Sequence, residues 1–430
     1  MGRHRVRLLV TALLMAVALV LPAAGAGAAR GSARVSPAVG NDFCISGSGA
    51  VSSEYTPQVA GNGTNGYLVV WEDDRNESES GSDIYGRRVA ANGSRIGADF
   101  RISGTGATGD EEYPAVAWDA ADGEYLVVWK DDRNGLTWGY DIYGRRVAAD
   151  GARIGSDFRI SGTGATMNED YPAVAWDADD DEYLVVWADY RSSSAEVYGR
   201  RVAGAGSPVG SDFRVSGAAA AAGGSPSGVV WNGTDDEYLV VWVDGRNSSP
   251  DIYGRRVAGA GTPVGSDIRI SRAGATGEYL PAVAWNGTDD EYLVVWEDWR
   301  NYSTREQDTY GQRLAADGAR LGANFRIGGT ATADIVPAVA WNGEVGEYLV
   351  VWQDQRNYES RETDIYGRRV SADGTRLEKD FRVSGRNAIS VEQEPAVAGD
   401  GADGEYLVVW QDLRNYPDRR ADIYGRRVVP

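Results

Sequence analysis

The sequence is short of the residues from which most catalytic and metal sites are built. Its 430 residues include one histidine, His4, and one cysteine, Cys44. A lone thiol excludes an intrachain disulfide. One imidazole next to the N-terminus leaves no Ser-His-Asp or Cys-His centre and no histidine-ligated zinc for the rest of the chain. Catalysis would have to run on carboxylates, tyrosine or arginine, or on a hard cation held by oxygen. Lysine is nearly missing too, occurring only at Lys130 and Lys379, so the cations are arginines.

Long apolar runs are also absent, with one exception. Leu8 to Leu21 follows the basic "MGRHRVR" and precedes "PAAGAGAA". The run is too short for a membrane span, and Ala24-Gly25-Ala26 is a small-residue cleavage site. The expectation is a signal peptide over residues 1–29, a flexible leader over 30–41 and a secreted, extracellular domain over 42–430 that does not insert into a membrane. Removing Arg3, Arg5 and Arg7 leaves 40 Lys+Arg against 63 Asp+Glu, a charge of −23. So acidic a surface argues against nucleic acid and anionic membranes as partners.

What the chain has in abundance is itself. "EYLVVWKDDRN" at Glu124 has close copies, and the tyrosines of "YLVVW" are Tyr67, Tyr125, Tyr183, Tyr238, Tyr292, Tyr348 and Tyr406. They are separated by 58, 58, 55, 54, 56 and 58 residues, a period of repeat architectures. Each unit has four short runs rich in Val, Ile, Tyr and Trp: "PAVAW", "EYLVVW", "DIYGRRV" and "FRIS". Bounded by Gly, Asp, Asn and Pro, these read as strands, and no segment of ten residues shows a helical period.

Seven four-stranded units predict an all-β fold, a seven-bladed β-propeller of antiparallel blades. "YLVVW" is apolar at every position, as suits a strand covered on both faces by neighbouring blades. The glycine of "YGRR" is expected to lie under a tryptophan ring. The first run is "FCIS" at Phe43, a fourth-strand type, and the last is "DIYGRRV", a third-strand type. The N-terminal strand should therefore close the ring on the C-terminal blade. The units resemble those of secreted bacterial seven-bladed propeller proteins reading "EYLVVW-x-D-x-R…DIYGRRV". The resemblance covers residues 43–428 and implies architecture, with no activity attached.

The repeated Asp-x-Arg (Asp131 and Arg133 in the second unit) is expected to be scaffolding, with Asp capping the turn and Arg pairing with a carboxylate or stacking on a tryptophan. A repeated anion or sugar subsite is the alternative. The two Arg of "YGRR" should face opposite sides of the strand, with Glu124-type residues on the adjacent strand within cross-strand reach for structural ion pairing. Asn232-Gly233-Thr234 and Asn286-Gly287-Thr288 are formal glycosylation triplets that read better as turns.

Function is expected where the copies disagree, in the loops between second and third strands. Those loops and their margins carry Trp138, Tyr140, Tyr190, Trp299, Tyr302, Tyr358 and Tyr416 as candidate ligand contacts. Aromatic platforms beside polar groups suit a glycan or a cell-surface protein. Before the first strands stand Glu54, Glu112, Asp170, Glu278, Asp334 and Glu394, six carboxylates that would crowd one channel mouth, a crowding that solvation, or a bound Ca²⁺ or Mg²⁺, would relieve. The leading expectation is a non-enzymatic, lectin-like or protein-binding propeller. An extracellular polysaccharide lyase or glycoside hydrolase and a structural part of an extracellular complex stay open.

Overall fold

The computed structural model describes residues 37–47, 52–64, 66–105, 109–134, 139–162, 167–192, 194–217, 225–247, 249–271, 277–328, 332–358, 362–385, 390–399, 401, 404–415 and 420–430. The expected signal peptide, Trp138 and Tyr416 lie outside them.

Seven antiparallel sheets are formed, six of four strands and one closed by the N-terminus. Blade 2 shows the plan: Glu111–Asp119, Glu124–Asp131, Asp141–Ala148 and Arg153–Arg159, paired in chain order. First strands of neighbouring blades touch in an unbroken circle and so surround the axis. Single helical turns stand between second and third strands at Glu77–Ser80 and Tyr302–Arg305.

The second strand explains why a blade needs its neighbours. Tyr125, Val127 and Trp129 pack against Leu68, Val70, Ile84 and Ile102 of blade 1. Leu126 and Val128, pointing the other way, pack against Tyr183, Val185 and Trp187 of blade 3. Alternation with period two therefore buries every residue of the run, at about 1.5–3 kcal/mol for each large side chain.

Arginine adds polar ties across the same boundaries. The first Arg of "YGRR" reaches a carbonyl on the preceding blade's outer strand: Arg87 Nη1 donates to the Ile45 carbonyl at 2.9 Å and Arg200 Nη1 to that of Ile160 at 2.9 Å. The second Arg pairs across the sheet as expected, with Arg146 forked on Glu124 and its Nη2 at 2.9 Å from Oε2.

The glycine between Tyr and Arg has a different cause from the one the sequence suggested. A Cβ on Gly144 would stand 2.8 Å from Ile160 Cδ1, and one on Gly86 2.7 Å from Ile102 Cδ1. The crowding group is the isoleucine of "FRIS" on the fourth strand, not a tryptophan.

The ring closes at the N-terminus. Phe43 and Cys44 pair with Gly425 and Tyr424, and Ile45 is fully buried in the cluster between blades 7 and 1. Pairing begins earlier than residue 42, because Ala38 and Val39 lie opposite Val429 and Val428. The expected leader thus ends in a strand.

Candidate functional site

Two ends of the ring differ in construction. The turns joining first to second strands lie at one end. The Asp-x-Arg turns and variable loops lie at the other, called the loop end here.

At the loop end the scaffold comes first. Asp131 is fully buried and accepts the indole N–H of Trp129 at 2.9 Å, the backbone N–H of Arg133 at 2.9 Å and the Arg133 Nε–H at 2.8 Å. The Arg133 guanidinium lies over the Tyr143 ring at 4.1 Å and reaches Asp157 at 3.1 Å. Asn134 then ties Asp141 and the Tyr143 hydroxyl, each at 3.1 Å. The Trp–Asp and Arg–Asp contacts and the Arg–Tyr stacking recur around the ring, as at Asp73, Arg75 and Tyr85 or Asp412, Arg414 and Tyr424. Both carboxylate oxygens of Asp131 are engaged by its own blade, so the motif is structural. Arginine stacks on the tyrosine of "DIYGRR" rather than on a tryptophan.

Beneath these turns runs a set of buried carboxyls at the third position before each first-strand proline. Glu54, Glu111, Glu169, Glu278, Asp334 and Glu392 have no exposure. Burial pushes Glu111, Glu169 and Glu392 up to about 8 and Glu278 to about 7. Burial and the facing Asp354 push Asp334 up as well. It follows Gly328 where the other boundaries place a serine, as at Ser103 before Glu111.

The six acids expected to crowd one mouth therefore come from three registers. Glu54, Glu278 and Asp334 belong to the buried set. Glu112 and Asp170 stand one residue nearer the proline, and Glu394 directly before its proline. Only Glu112 and Asp170 are brought together, and a protein cation already joins them: Lys130 Nζ lies 2.7 Å from Glu112 and 3.0 Å from Asp170.

That lysine marks a break in the sevenfold symmetry. The residue before each proline sits on a β-bulge with positive φ, 52° at Tyr113 and 53° at Tyr171. A bulge suits the proline that follows and turns the preceding side chain toward the axis. Tyr113 and Tyr171 meet across two blades with ring centroids 5.0 Å apart, and Tyr171 is 40 % exposed. Lys130 Nζ lies 4.0 Å from the Tyr140 ring and 5.1 Å from that of Tyr113. Asp170, Tyr171 and Lys130 are the charged and phenolic neighbours of Tyr190, whose hydroxyl burial pushes up. Beside them, burial first and then the Glu112 charge push the Glu72 carboxyl up to about 8.

A second aromatic group belongs to blade 5. Trp299 stacks on Tyr302 at 5.0 Å with planes 12° apart and meets Tyr279 edge-on at 5.7 Å. Its indole N–H donates to Glu297 at 2.6 Å, and Tyr302 is 54 % exposed. Tyr358 of blade 6 is exposed as well.

Of the expected aromatic contacts, the structure sets Tyr140 against Lys130, places Tyr190 in the field of Asp170 and Lys130, and pairs Trp299 with Tyr302. Sequence reasoning missed Lys130, Glu72, Tyr113, Tyr171, Tyr279 and Glu297. A signal existed: the residue before the first-strand proline reads Thr56, Tyr113, Tyr171, Leu280, Val336 and Glu394, a variable position inside an otherwise repeated strand.

No family model and no curated protein matches the chain. Among solved structures, it is similar to a protein of unknown function from Dyadobacter fermentans, with TM-score 0.54, 10 % identity and coverage of 91 % of this chain and 99 % of that one. Phage phi92 endosialidase gives TM-score 0.50 at 8 % identity, covering 90 % of this chain and 69 % of the other. A puromycin hydrolase mutant gives 0.50 at 12 % identity, covering 85 % and 53 %. Likeness at such identities shows the propeller fold and nothing finer.

Proposed function

We propose that the protein acts outside the cell as a carbohydrate-binding propeller, with its site at the loop end of the axis around blades 1 to 3. One observation carries this reading. A departure from sevenfold symmetry at the loop end sets the Tyr113–Tyr171 ring pair beside Glu112, Asp170 and Lys130. Ring faces supply stacking surfaces for sugar C–H groups, and the flanking charged groups supply fixed hydrogen-bond partners for hydroxyls. Trp299 and Tyr302 offer a second platform for a longer chain. The acidic surface favours a neutral or cationic glycan over a polyanion.

A second reading is favoured by Glu72. Its carboxyl is pushed up to about 8 next to Glu112, which is paired with Lys130. Two carboxyl groups with such different surroundings are the arrangement of a glycoside hydrolase, with Glu72 as proton donor. The two readings share one site and differ in turnover.

A glycan array followed by a product assay on each bound polysaccharide separates them. Binding without released reducing ends, weakened at least tenfold by Tyr171→Ala, supports a binding protein. Product release abolished by Glu72→Gln supports the hydrolase. Glycan binding that survives Tyr113→Ala, Tyr171→Ala and Trp299→Ala together places the site elsewhere.

A further inference from the structure

The opposite end of the ring carries a different anomaly, visible because each blade is a control for the next. In blade 4 the turn from first to second strand reads Asn232-Gly233-Thr234-Asp235-Asp236. Asn232 Oδ1 accepts the N–H groups of Thr234 at 2.9 Å and Asp235 at 3.3 Å. Across the boundary, the Thr234 hydroxyl donates to Asp290 of blade 5 at 2.7 Å. One carboxylate thus meets one neutral donor.

Blade 3 makes the same turn with Asp177-Ala178-Asp179-Asp180-Asp181. Asp177 Oδ1 repeats the role of Asn232, accepting the N–H groups of Asp179 at 2.8 Å and Asp180 at 3.2 Å. Its other oxygen replaces an amide that, in blade 4, donates to Asp235 at 3.3 Å. Asp179 replaces the threonine donor, and Asp236 of blade 4 stands where Asp290 stands one blade on. Asp177, Asp179 and Asp236 each bring a carboxylate oxygen within 4.8 Å of the others.

Among the described residues nothing neutralises this group. Among the described residues no arginine or lysine makes an ion pair with any of the three. Asp177 is fully buried and its Oδ2 has no hydrogen-bond partner. The hydroxyl of Tyr238, also fully buried, has none either, and it lies within the field of the Asp177 charge. One boundary earlier the equivalent tyrosine, Tyr183, donates to Asp119 Oδ2 at 3.3 Å. The comparable acidic triplet there, Asp119, Asp122 and Glu124, has its cation: Arg146 forks on Glu124 and comes within 3.9 Å of Asp122.

We propose that Asp177, Asp179 and Asp236 form a divalent-cation site, suited to Ca²⁺, that ties blade 3 to blade 4 at the end of the ring away from the loop mouth. Three carboxylates brought together without a counter-charge repel one another, and an ion removes that repulsion while satisfying the buried Asp177 oxygen. An all-oxygen ligand set selects a hard cation, and the exposure of Asp179 and Asp236 leaves room for the waters that complete a calcium shell.

The full chain, freed of metal with EDTA and dialysed, is titrated with CaCl₂ by calorimetry and with Tb³⁺ by luminescence sensitised through Tyr238 and neighbouring tryptophans. The expected result is a site with Kd on the order of 10⁻⁴–10⁻³ M or tighter, as in extracellular calcium modules. The Asp177→Asn/Asp179→Thr variant copies the turn of blade 4, which this chain already folds. It should lose at least tenfold in Ca²⁺ affinity and be no less stable than the metal-free parent. Asp122→Asn, in the triplet neutralised by Arg146, should leave binding unchanged. Absence of binding at millimolar Ca²⁺, or binding equal in parent and blade-4-like variant, overturns the proposal. Should that variant fold poorly, Asp236→Asn gives the same two readouts from the other blade.

Discussion

Replacing Glu169 by glutamine should make the protein more stable in mild base, although the residue is buried and ionisable. Burial pushes its carboxyl from 4.5 to about 8, with the Ser161 hydroxyl pulling the other way and the charges of Asp189 and Asp141 adding to the rise. Between those values the folded state holds a proton that the unfolded chain has released. Stability from this group is therefore complete below about pH 4.5 and is lost as the pH rises through 8. Each tenfold change in proton affinity corresponds to about 1.4 kcal/mol, so ionising Glu169 in place costs up to about 4–5 kcal/mol and, after relaxation, on the order of 1–3. Glu169→Gln removes the charge and keeps the shape. By differential scanning calorimetry its Tm at pH 8.5 should exceed that of the parent by about 2–5 °C, with the gain gone at pH 5. The parent's Tm should fall between pH 5 and 8.5, because Glu111 and Glu392 titrate in the same sense. A parent Tm that climbs over this range, or a variant equally destabilised at both pH values, would refute the reasoning.

Asp131→Ala strands the Trp129 indole N–H and leaves Arg133 only Asp157 at 3.1 Å and Glu111 at 3.4 Å, so it should lower stability by about 2–3 kcal/mol. Chemical denaturation measures this, and glycan binding by the folded fraction should be unchanged. Deleting residues 37–47 uncovers the outer edge of Asp422–Val429 and removes Ile45 from the core between blades 7 and 1. Loss of that one side chain alone is worth about 1.5–3 kcal/mol; a melting curve that does not move would show that the ring does not need the N-terminal strand.

The architecture was legible because it is written seven times. A wholly apolar "YLVVW" has no solvent face, and that alone requires a neighbour on each side. The closing strand was legible from the order of runs, although its true start at Ala38 was not, because "AV" carries no strand pattern of its own. Contacts set by register were hidden. The shift between third and fourth strands brings Ile160 over Gly144, which no residue spacing reveals. The proposed site was half legible. Variable loops pointed to the loop end, where the fold sets Tyr140 beside Lys130 and stacks Trp299 on Tyr302. Lys130 looked like one more strand residue until the fold brought Asp170 from the next blade to its amine. Glu112, Asp170 and Glu394 fall in different registers from Glu54, a difference that shows once each unit is aligned on its first-strand proline.

The most direct test of the loop-end site is isothermal titration of the strongest array ligand into the parent and into Tyr171→Ala. Tyr171 is 40 % exposed and supports no strand pairing through its side chain, so its loss should leave the melting temperature in place. If the mouth between blades 2 and 3 is the binding surface, affinity falls at least tenfold at unchanged Tm. Equal affinity in the two proteins contradicts it.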